Sequence, residues 1–282
     1  MNQHSSPLIS VIVATFNSAR TLQQCIDSVS SQTYTNRELI VIDGGSTDGT
    51  VELLTRNRDK LSYWISEPDH GIYSAWNKGL ARAKGDWICF VGADDFFWDA
   101  KVLERVAANL AMLRAEIRVA YGQVMLLTSR GENLYSIGKP WEKVRERFRQ
   151  VMSIPHPGLM HRKSFFEKHG SFDESFRIAG DYELLLRELK TGEAFFIPDI
   201  ITLGMRQGGI SSTPENSLIA LRENRRAQRM HGQRFPGCAW LTAMARLYMR
   251  LMLWRVLGES FARKVLDTQR RMMGLPLYWT RN

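Results

Sequence analysis

The chain has 282 residues, 44% of them apolar and 10% aromatic, which supplies one large hydrophobic core or two modest ones and excludes a wholly disordered polymer. Its net charge of +9 is concentrated: residues 222–282 carry 13 Lys and Arg against 3 Asp and Glu, and the other 221 residues sum to −1. A nucleic-acid enzyme carries basic charge around its active site, so this distribution argues against nucleic acid and for an anionic surface such as a phospholipid leaflet.

Cys25, Cys89 and Cys238 lie far apart without CxxC spacing, and the first two fall inside apolar patterns. They read as free thiols in a reducing compartment. The first thirteen residues lack the basic start and the long apolar run of a secretion signal. No stretch of about 18 uninterrupted apolar residues, the usual need of a membrane span, occurs in the sequence. The expectation is a cytoplasmic protein in which only the first six residues are disordered.

In chain order, residues 8–16 form a β-rich apolar run ending at Asn17-Ser18. Leu22, Ile26 and Val29 give residues 19–31 helical spacing. A second apolar run, Leu39 to Ile42, stops at Asp43-Gly44-Gly45-Ser46, and residues 50–58 read as the next helix. Tyr63 to Ile65 is a short third strand, residues 72–84 a third helix, and Trp87 to Val91 a fourth strand ending at Gly92-Ala93-Asp94-Asp95. This alternation predicts a parallel sheet with helices on its faces, and in such sheets ligands bind beyond the carboxyl ends of the strands. Three of the four strands end there in polar or acidic clusters. Further on, the pattern predicts helices over 100–115, 163–169 and 181–191. It predicts strands over 118–128, 133–137 and near 194–201, and basic helix from about 214.

Asp94 and Asp95 are adjacent carboxylates placed after a buried strand. Such a pair repels itself unless solvent or a cation relieves it. Taken alone, the pair reads first as a solvated turn with an Asp capping the next helix. Asp43 and Asp69 are expected on the same sheet edge, and a divalent cation on oxygen ligands would reconcile these acids with an anionic diphosphate. The segment IVIDGGSTDGT, residues 40–50, matches neither a Walker A loop nor G-x-G-x-x-G, which disfavours P-loop and dinucleotide readings. Asp43 can accept hydrogen bonds from a base or ribose, and Asp48 suits a helix cap.

The ordered segments ISVIVATFN, VIDGGSTDGT, EPDHGIYSAWNKGLARAKGDWICFVGADD and FDESFRIAGDYELLLR, spread over roughly residues 8–212, closely resemble family 2 glycosyltransferases of the GT-A fold. Many members of that family build bacterial surface polysaccharides. The resemblance implies an α/β, Rossmann-like three-layer α/β/α sandwich with a mostly parallel central sheet and, here, a C-terminal helical extension. It implies that Ala14, Thr15 and Asp43 form the nucleotide-base pocket with Asp69 beside it. Asp94 would lie nearer the ribose, Asp95 would bind a divalent metal (Mn2+ or Mg2+), and Asp181 would be the catalytic base.

Other positions carry two readings each. Asn77 and Lys78 take the family's Asn-Arg/Lys position, Lys78 as a phosphate contact or as the partner of a nearby acid. His156, between Pro155 and Pro157, contacts the donor or satisfies loop backbone. Arg206 pairs with phosphate or is a surface arginine. Asp181 alternatively caps a helix beginning at Tyr182, and Glu183 reads as a helix-surface charge. Two positions depart from the family pattern: Gly44 stands where a second acid is usual after strand two, and Gly92 where the common Asp-x-Asp-Asp begins.

The implied reaction is an inverting, metal-dependent transfer of a sugar from a nucleotide-diphosphate donor to an acceptor hydroxyl on a glycan or lipid-linked intermediate. Charge develops on the leaving phosphate oxygen, where a cation stabilises it. The attacking hydroxyl must lose its proton to a general base, a contribution of ~10²–10⁴-fold. A sugar-phosphate nucleotidylyltransferase and a non-catalytic nucleotide-sugar-binding membrane scaffold are the alternatives. The first opens with a Gly-rich, Arg-Lys-bearing loop where this chain has ATFNSAR.

The expected division is a catalytic domain over 1–213, with a nucleotide-binding half (1–100) and an acceptor half (101–213), followed by a basic helical tail over 214–282. Within 238–261, Trp240, Met244, Leu247, Leu251, Trp254 and Phe261 recur at three- and four-residue steps, with Arg246 and Arg250 off the stripe. This predicts one basic amphipathic helix, packed on the protein's own core or laid on the anionic inner leaflet of the plasma membrane.

Overall fold

The computed structural model describes residues 6–209 and 213–281. Residues 1–5, 210–212 and 282 lie outside them, and so do most of the predicted N-terminal disorder and the Ile210-Ser211 end of the Arg206 loop. The first half alternates as predicted: β1 (Ile9–Thr15), α1 (Leu22–Ser30), β2 (Arg37–Asp43), α2 (Thr50–Arg56), β3 (Tyr63–Ser66), α3 (Ile72–Leu80) and β4 (Trp87–Gly92). These strands are apolar at both parities because each is covered on both faces. Val11, Val13, Leu39, Val41, Cys89 and Val91 pack with α1 and α2 on one side. Ile12, Ile40, Ile42, Ile88 and Phe90 pack with α3 on the other.

The second half comprises β5 (Phe96–Phe97), α4 (Val102–Ala111), β6 (Val119–Leu127), β7 (Asn133–Ile137), α5 (Trp141–Phe148), β8 (Met160–Arg162), α6 (Lys163–His169), α7 (Gly180–Leu189) and β9 (Phe195–Arg206). Three helices follow: α8 (Pro214–Met230), α9 (Cys238–Leu257) and α10 (Glu259–Met272). One sheet runs β3-β2-β1-β4-β8-β6-β9-β5, with β7 added on β6. The first four strands are parallel, β8 is antiparallel to both β4 and β6, and β6 and β9 are parallel. Helix α4 shares the core of α1 and α2, while α5, α6, α7 and α8 share that of α3, giving the three layers expected.

Three features differ from the sequence reading. The two-residue β5, too short to show periodicity, pairs with β9, which runs past its predicted end to Arg206. Gly204 permits this pairing, since a Cβ there would lie 2.6 Å from the Phe96 ring. Second, α8 adds side chains to the core. Ala227 of α8 is fully buried in the second cluster, and Gln228 donates to the Gln150 carbonyl at 2.6 Å.

Third, the predicted 238–261 helix is two helices, separated at Gly258, whose φ of 72° is the left-handed conformation that glycine adopts without strain. Phe261 therefore belongs to α10. On α9 the stripe Trp240, Met244, Leu247, Leu251 and Trp254 turns toward the protein, and Trp240 Nε1 donates to the Leu221 carbonyl at 2.7 Å. Arg250 turns inward as well, over the rings of Trp254 and Trp279, where burial lowers its pKa. The opposite face of α9, with Leu241, Tyr248, Met249, Met252 and Val256, is exposed and equally apolar. No helix of the described residues is long and apolar enough to cross a membrane.

Candidate active site

Strand register lines up the rim. Thr15 stands opposite Asp43, Asp43 opposite Ser66, and Ala14 opposite both Ile42 and Gly92. The Asp43 carboxylate accepts from the backbone N–H groups of Gly45 (3.1 Å) and Ser46 (2.9 Å), and from the hydroxyls of Ser46 (2.5 Å) and Ser66 (2.6 Å). Three of those bonds fall on Oδ2 and one on Oδ1. Asp43 is fully buried and organises the loop that follows β2. Asn17, at a left-handed φ of 49°, ties β1 to the same loop by accepting from Thr47 N–H at 2.9 Å. Asp48 accepts from the N–H and hydroxyl of Thr50 and from Ala19 N–H, tightening the turn ahead of α2, whose cap residue is Gly49. Thr15 Oγ1 is buried at this rim without a partner.

Asp69 is brought against Gly44. A Cβ at residue 44 would lie 2.8 Å from Asp69 Oδ2, so the carboxylate of the β3–α3 loop occupies the space over the position where sequence showed a missing acid. Gly71 N–H donates to Asp69 Oδ1 at 2.9 Å. The Lys78 ammonium pairs with Glu67 Oε1 at 2.8 Å and donates to the Pro68 carbonyl at 3.2 Å, pinning this loop.

Asp94 and Asp95 converge above Gly92, where a Cβ would meet Asp94 Oδ1 at 2.8 Å and Asp95 Oδ2 at 3.0 Å. The departure at Gly92 is therefore steric: the two acids occupy its side-chain space. Burial first, and the neighbouring Asp94 second, hold the Asp95 carboxyl well above the usual carboxylate range. Asp95 Oδ1 is buried and unpartnered, while Oδ2 accepts a long bond from Gly92 N–H at 3.3 Å. Arg206 reaches this cluster because β9 extends: its guanidinium donates to the Asp94 carbonyl at 2.6 Å and to Gln24 Oε1, over the ring of Phe96.

Asp181 is contacted by Tyr73, which lies in the first turn of α3, after the Asp69 loop. The tyrosine hydroxyl donates to the Ile178 carbonyl at 2.6 Å and leans toward Asp181 Oδ1 at 3.4 Å. Helix α7 begins at Gly180, so Asp181 lies within its first turn and is not the cap of a helix starting at Tyr182. Burial raises its pKa to about 6 against the opposing hydrogen bonds from Tyr182 N–H and Tyr73. A cleft of about 350 Å³ separates residues 70–74 from 174–177. Asn77 bolts its two walls together, exchanging bonds with the Phe172 backbone at 3.0 Å and donating to Glu174 at 2.8 Å. Glu183 is no surface charge: it is buried between Arg187 (2.6 Å) and His231 (2.9 Å) under α8.

His156 lies in an aromatic cage of Trp76, Phe90, His161 and Phe172. Burial lowers its pKa to about 3, so it is a neutral imidazole and supplies no positive charge for a diphosphate. Nor does it satisfy loop backbone through Nε2, which is buried without a partner.

The profile of the family described as "Glycosyl transferase family 2" matches residues 10–170. A PGL/p-HBAD biosynthesis glycosyltransferase of Mycobacterium bovis is 30% identical over 220 residues, covering 74% of this chain and 81% of that protein. This chain belongs to glycosyltransferase family 2. The glycosyltransferase also shares its fold with Staphylococcus aureus TarS 1–349 in complex with UDP-GlcNAc (TM-score 0.61, 17% identity, 85% of this chain and 71% of that one). Of a longer TarS structure it spans 42%. The mannosyltransferase PcManGT of Pyrobaculum calidifontis, in complex with GDP-Man and Mn2+, aligns with a TM-score of 0.57 at 16% identity over 92% of this chain and 74% of its own. Membership makes the protein an enzyme and sets aside the nucleotidylyltransferase and scaffold alternatives.

The glycosyltransferase's acids fit a divalent cation in a limited way. Among the described residues no group of three or more His, Cys, Asp or Glu is arranged to hold one. Asp94 and Asp95 supply two carboxylates, with one buried oxygen uncommitted. Mg2+ and similar ions are commonly held by one or two carboxylates plus substrate phosphates, so this donor set suits an ion completed by the donor diphosphate. Sequence reasoning missed Tyr73, which organises the Asp181 side of the cleft. The only signal was its place one turn after Asp69 in HGIYSAW.

Proposed function

We propose that the protein is an inverting, metal-dependent glycosyltransferase that moves a sugar from a nucleotide-diphosphate donor onto an acceptor hydroxyl presented at a membrane surface. The observation that carries this reading is Asp181, contacted by Tyr73 of the cleft lining and with its pKa raised to about 6. A carboxylate of that pKa is ionised at neutral pH yet basic enough to accept a proton from a hydroxyl in the transition state. Ala14, Thr15 and Asp43 would form the base pocket with Asp69 beside it; the buried Thr15 Oγ1 has no protein partner, and Asp69 lies over Gly44. Asp94 and Asp95 would hold Mn2+ or Mg2+, which when bound stabilises charge developing on the leaving phosphate oxygen. Arg206 adds fixed positive charge beside that pair. A single displacement with Asp181 as base inverts the anomeric carbon and needs no covalent nucleophile.

The membrane part of the reading rests on the outer face of α9 together with the basic charge of residues 222–282. An apolar face bordered by Arg246 and Arg255 suits an anionic leaflet carrying a lipid-linked acceptor. The deciding experiment is Asp181→Asn assayed with UDP- and GDP-sugars and Mn2+. The variant should bind donor as the wild type does and lose about 10²-fold or more in turnover. Unchanged turnover would remove Asp181 as the base.

A further inference from the structure

The loop that leads into the helix of Asp181 is held by α8. Three successive backbone N–H groups, those of Arg177, Ile178 and Ala179, point at one carboxylate, that of Glu223 on α8. Arg177 donates to Oε1 and the other two to Oε2, each at 2.8 Å. These residues immediately precede α7, whose cap residue Ala179 has no capping side chain of its own. A carboxylate there answers backbone donors that the helix cannot satisfy, at the end where its dipole favours negative charge.

One turn along α8, Arg226 grips the same loop by its acceptors. Its guanidinium donates to the Ser175 carbonyl (3.1 Å) and hydroxyl (2.6 Å) and lies 4.2 Å from the centroid of the Phe176 ring. The backbone of Ile178 is held on both sides, its N–H donating to Glu223 and its carbonyl accepting from the Tyr73 hydroxyl. Gly180 closes the arrangement, since a Cβ there would lie 2.9 Å from the Tyr73 ring. Residues 174–177 also form one wall of the cleft.

We propose that Glu223 is a positioning residue for Asp181, so that helix α8 is part of the catalytic apparatus and its seating sets the geometry of the base and of the 174–177 wall of the cleft. The inference rests on Asp181 being the base. Neither Glu223 nor Arg226 needs to touch substrate; both act through the loop. Misplacing a reacting group by about 1 Å can cost about 10²-fold in rate, so a cap that fixes this loop has that much leverage.

The test is Glu223→Gln in the full-length protein, assayed by release of nucleoside diphosphate from a panel of UDP- and GDP-sugars. The expected result is a fall in kcat of about 10- to 100-fold with donor KM within about twofold of wild type. The acid limb of the rate profile should move to lower pH, because the Glu223 charge opposes ionisation of Asp181 and the amide removes it. Glu223→Asp, which keeps the charge on a shorter stem, should restore the limb and part of the rate. A merely structural role would lower thermal stability while leaving kcat per folded molecule and the limb unmoved, and that outcome overturns the proposal. Should Glu223→Gln fail to fold, Arg226→Met keeps an apolar stem near Phe176 and removes the grip on Ser175. It must then lower kcat without weakening donor binding, or the proposal falls. If Asp181→Asn is itself fully active, the catalytic reading fails instead; if it is inactive and Glu223→Gln is normal, only the positioning role fails.

Discussion

The carboxylate of Asp69 stands over Gly44, close enough that a methyl group at 44 would lie 2.8 Å from Oδ2. Gly44 is not among the glycines with a left-handed φ, so alanine fits its backbone and the conflict is with Asp69 alone. Gly44→Ala should therefore displace the Asp69 carboxylate and weaken nucleotide-sugar binding by about tenfold, one charge-assisted hydrogen bond's worth. Calorimetric titration with the preferred donor measures this, and Asp69→Asn should show a similar loss. An unchanged Kd in both variants would take Asp69 out of the donor site.

The pKa of Asp181, raised to about 6 by burial, fixes the sign of the pH dependence. Below that value the carboxyl is protonated and cannot accept the acceptor's proton, so kcat/KM should rise with pH and level off above about 6. In Tyr73→Phe the hydroxyl that favours the ionised form is gone, and the limb should move to higher pH. A pH-independent rate between 5 and 8, taken as roughly the range over which such a group titrates, would contradict the assignment.

Asp95 gives a prediction on stability. Its folded-state pKa is raised by burial and by Asp94, so the folded protein holds a proton that the unfolded chain releases near the ordinary value. Its contribution to stability is present below that ordinary value and is lost as pH rises toward the folded pKa. In EDTA, wild type should lose more thermal stability from pH 5 to pH 8 than Asp95→Asn does. Added Mn2+ should raise the Tm of wild type and not of the variant, since an ion bound only by the folded state stabilises it by mass action. Equal Mn2+ shifts would place the ion elsewhere.

Deleting the tail is a poor test of membrane binding, because Trp240 and Leu247 are packed on the body. Charging the exposed face is cleaner. Tyr248→Asp with Met252→Asp should reduce sedimentation with phosphatidylcholine–phosphatidylglycerol vesicles by about tenfold or more while leaving donor turnover in solution unchanged. Undiminished sedimentation would move the contact to another face.

The sequence by itself determined the alternating first half, the strand ends at Asp43 and Asp94-Asp95, and the family, because buried parallel strands and their polar ends are local patterns. It also marked where acids were missing, at Gly44 and Gly92. Only the tertiary structure decided what fills those gaps: Asp69 over Gly44, and the acid pair itself over Gly92, contacts between residues that no periodicity relates. The same holds for Lys78 turned to Glu67, for His156 neutral in its cage, and for the inward stripe of α9. A side chain's partners depend on which elements the sheet order brings together, and that order is set by packing across the chain. Glu223 is the clearest case, since nothing in a basic helix far along the sequence announces that one of its carboxylates caps the helix of Asp181.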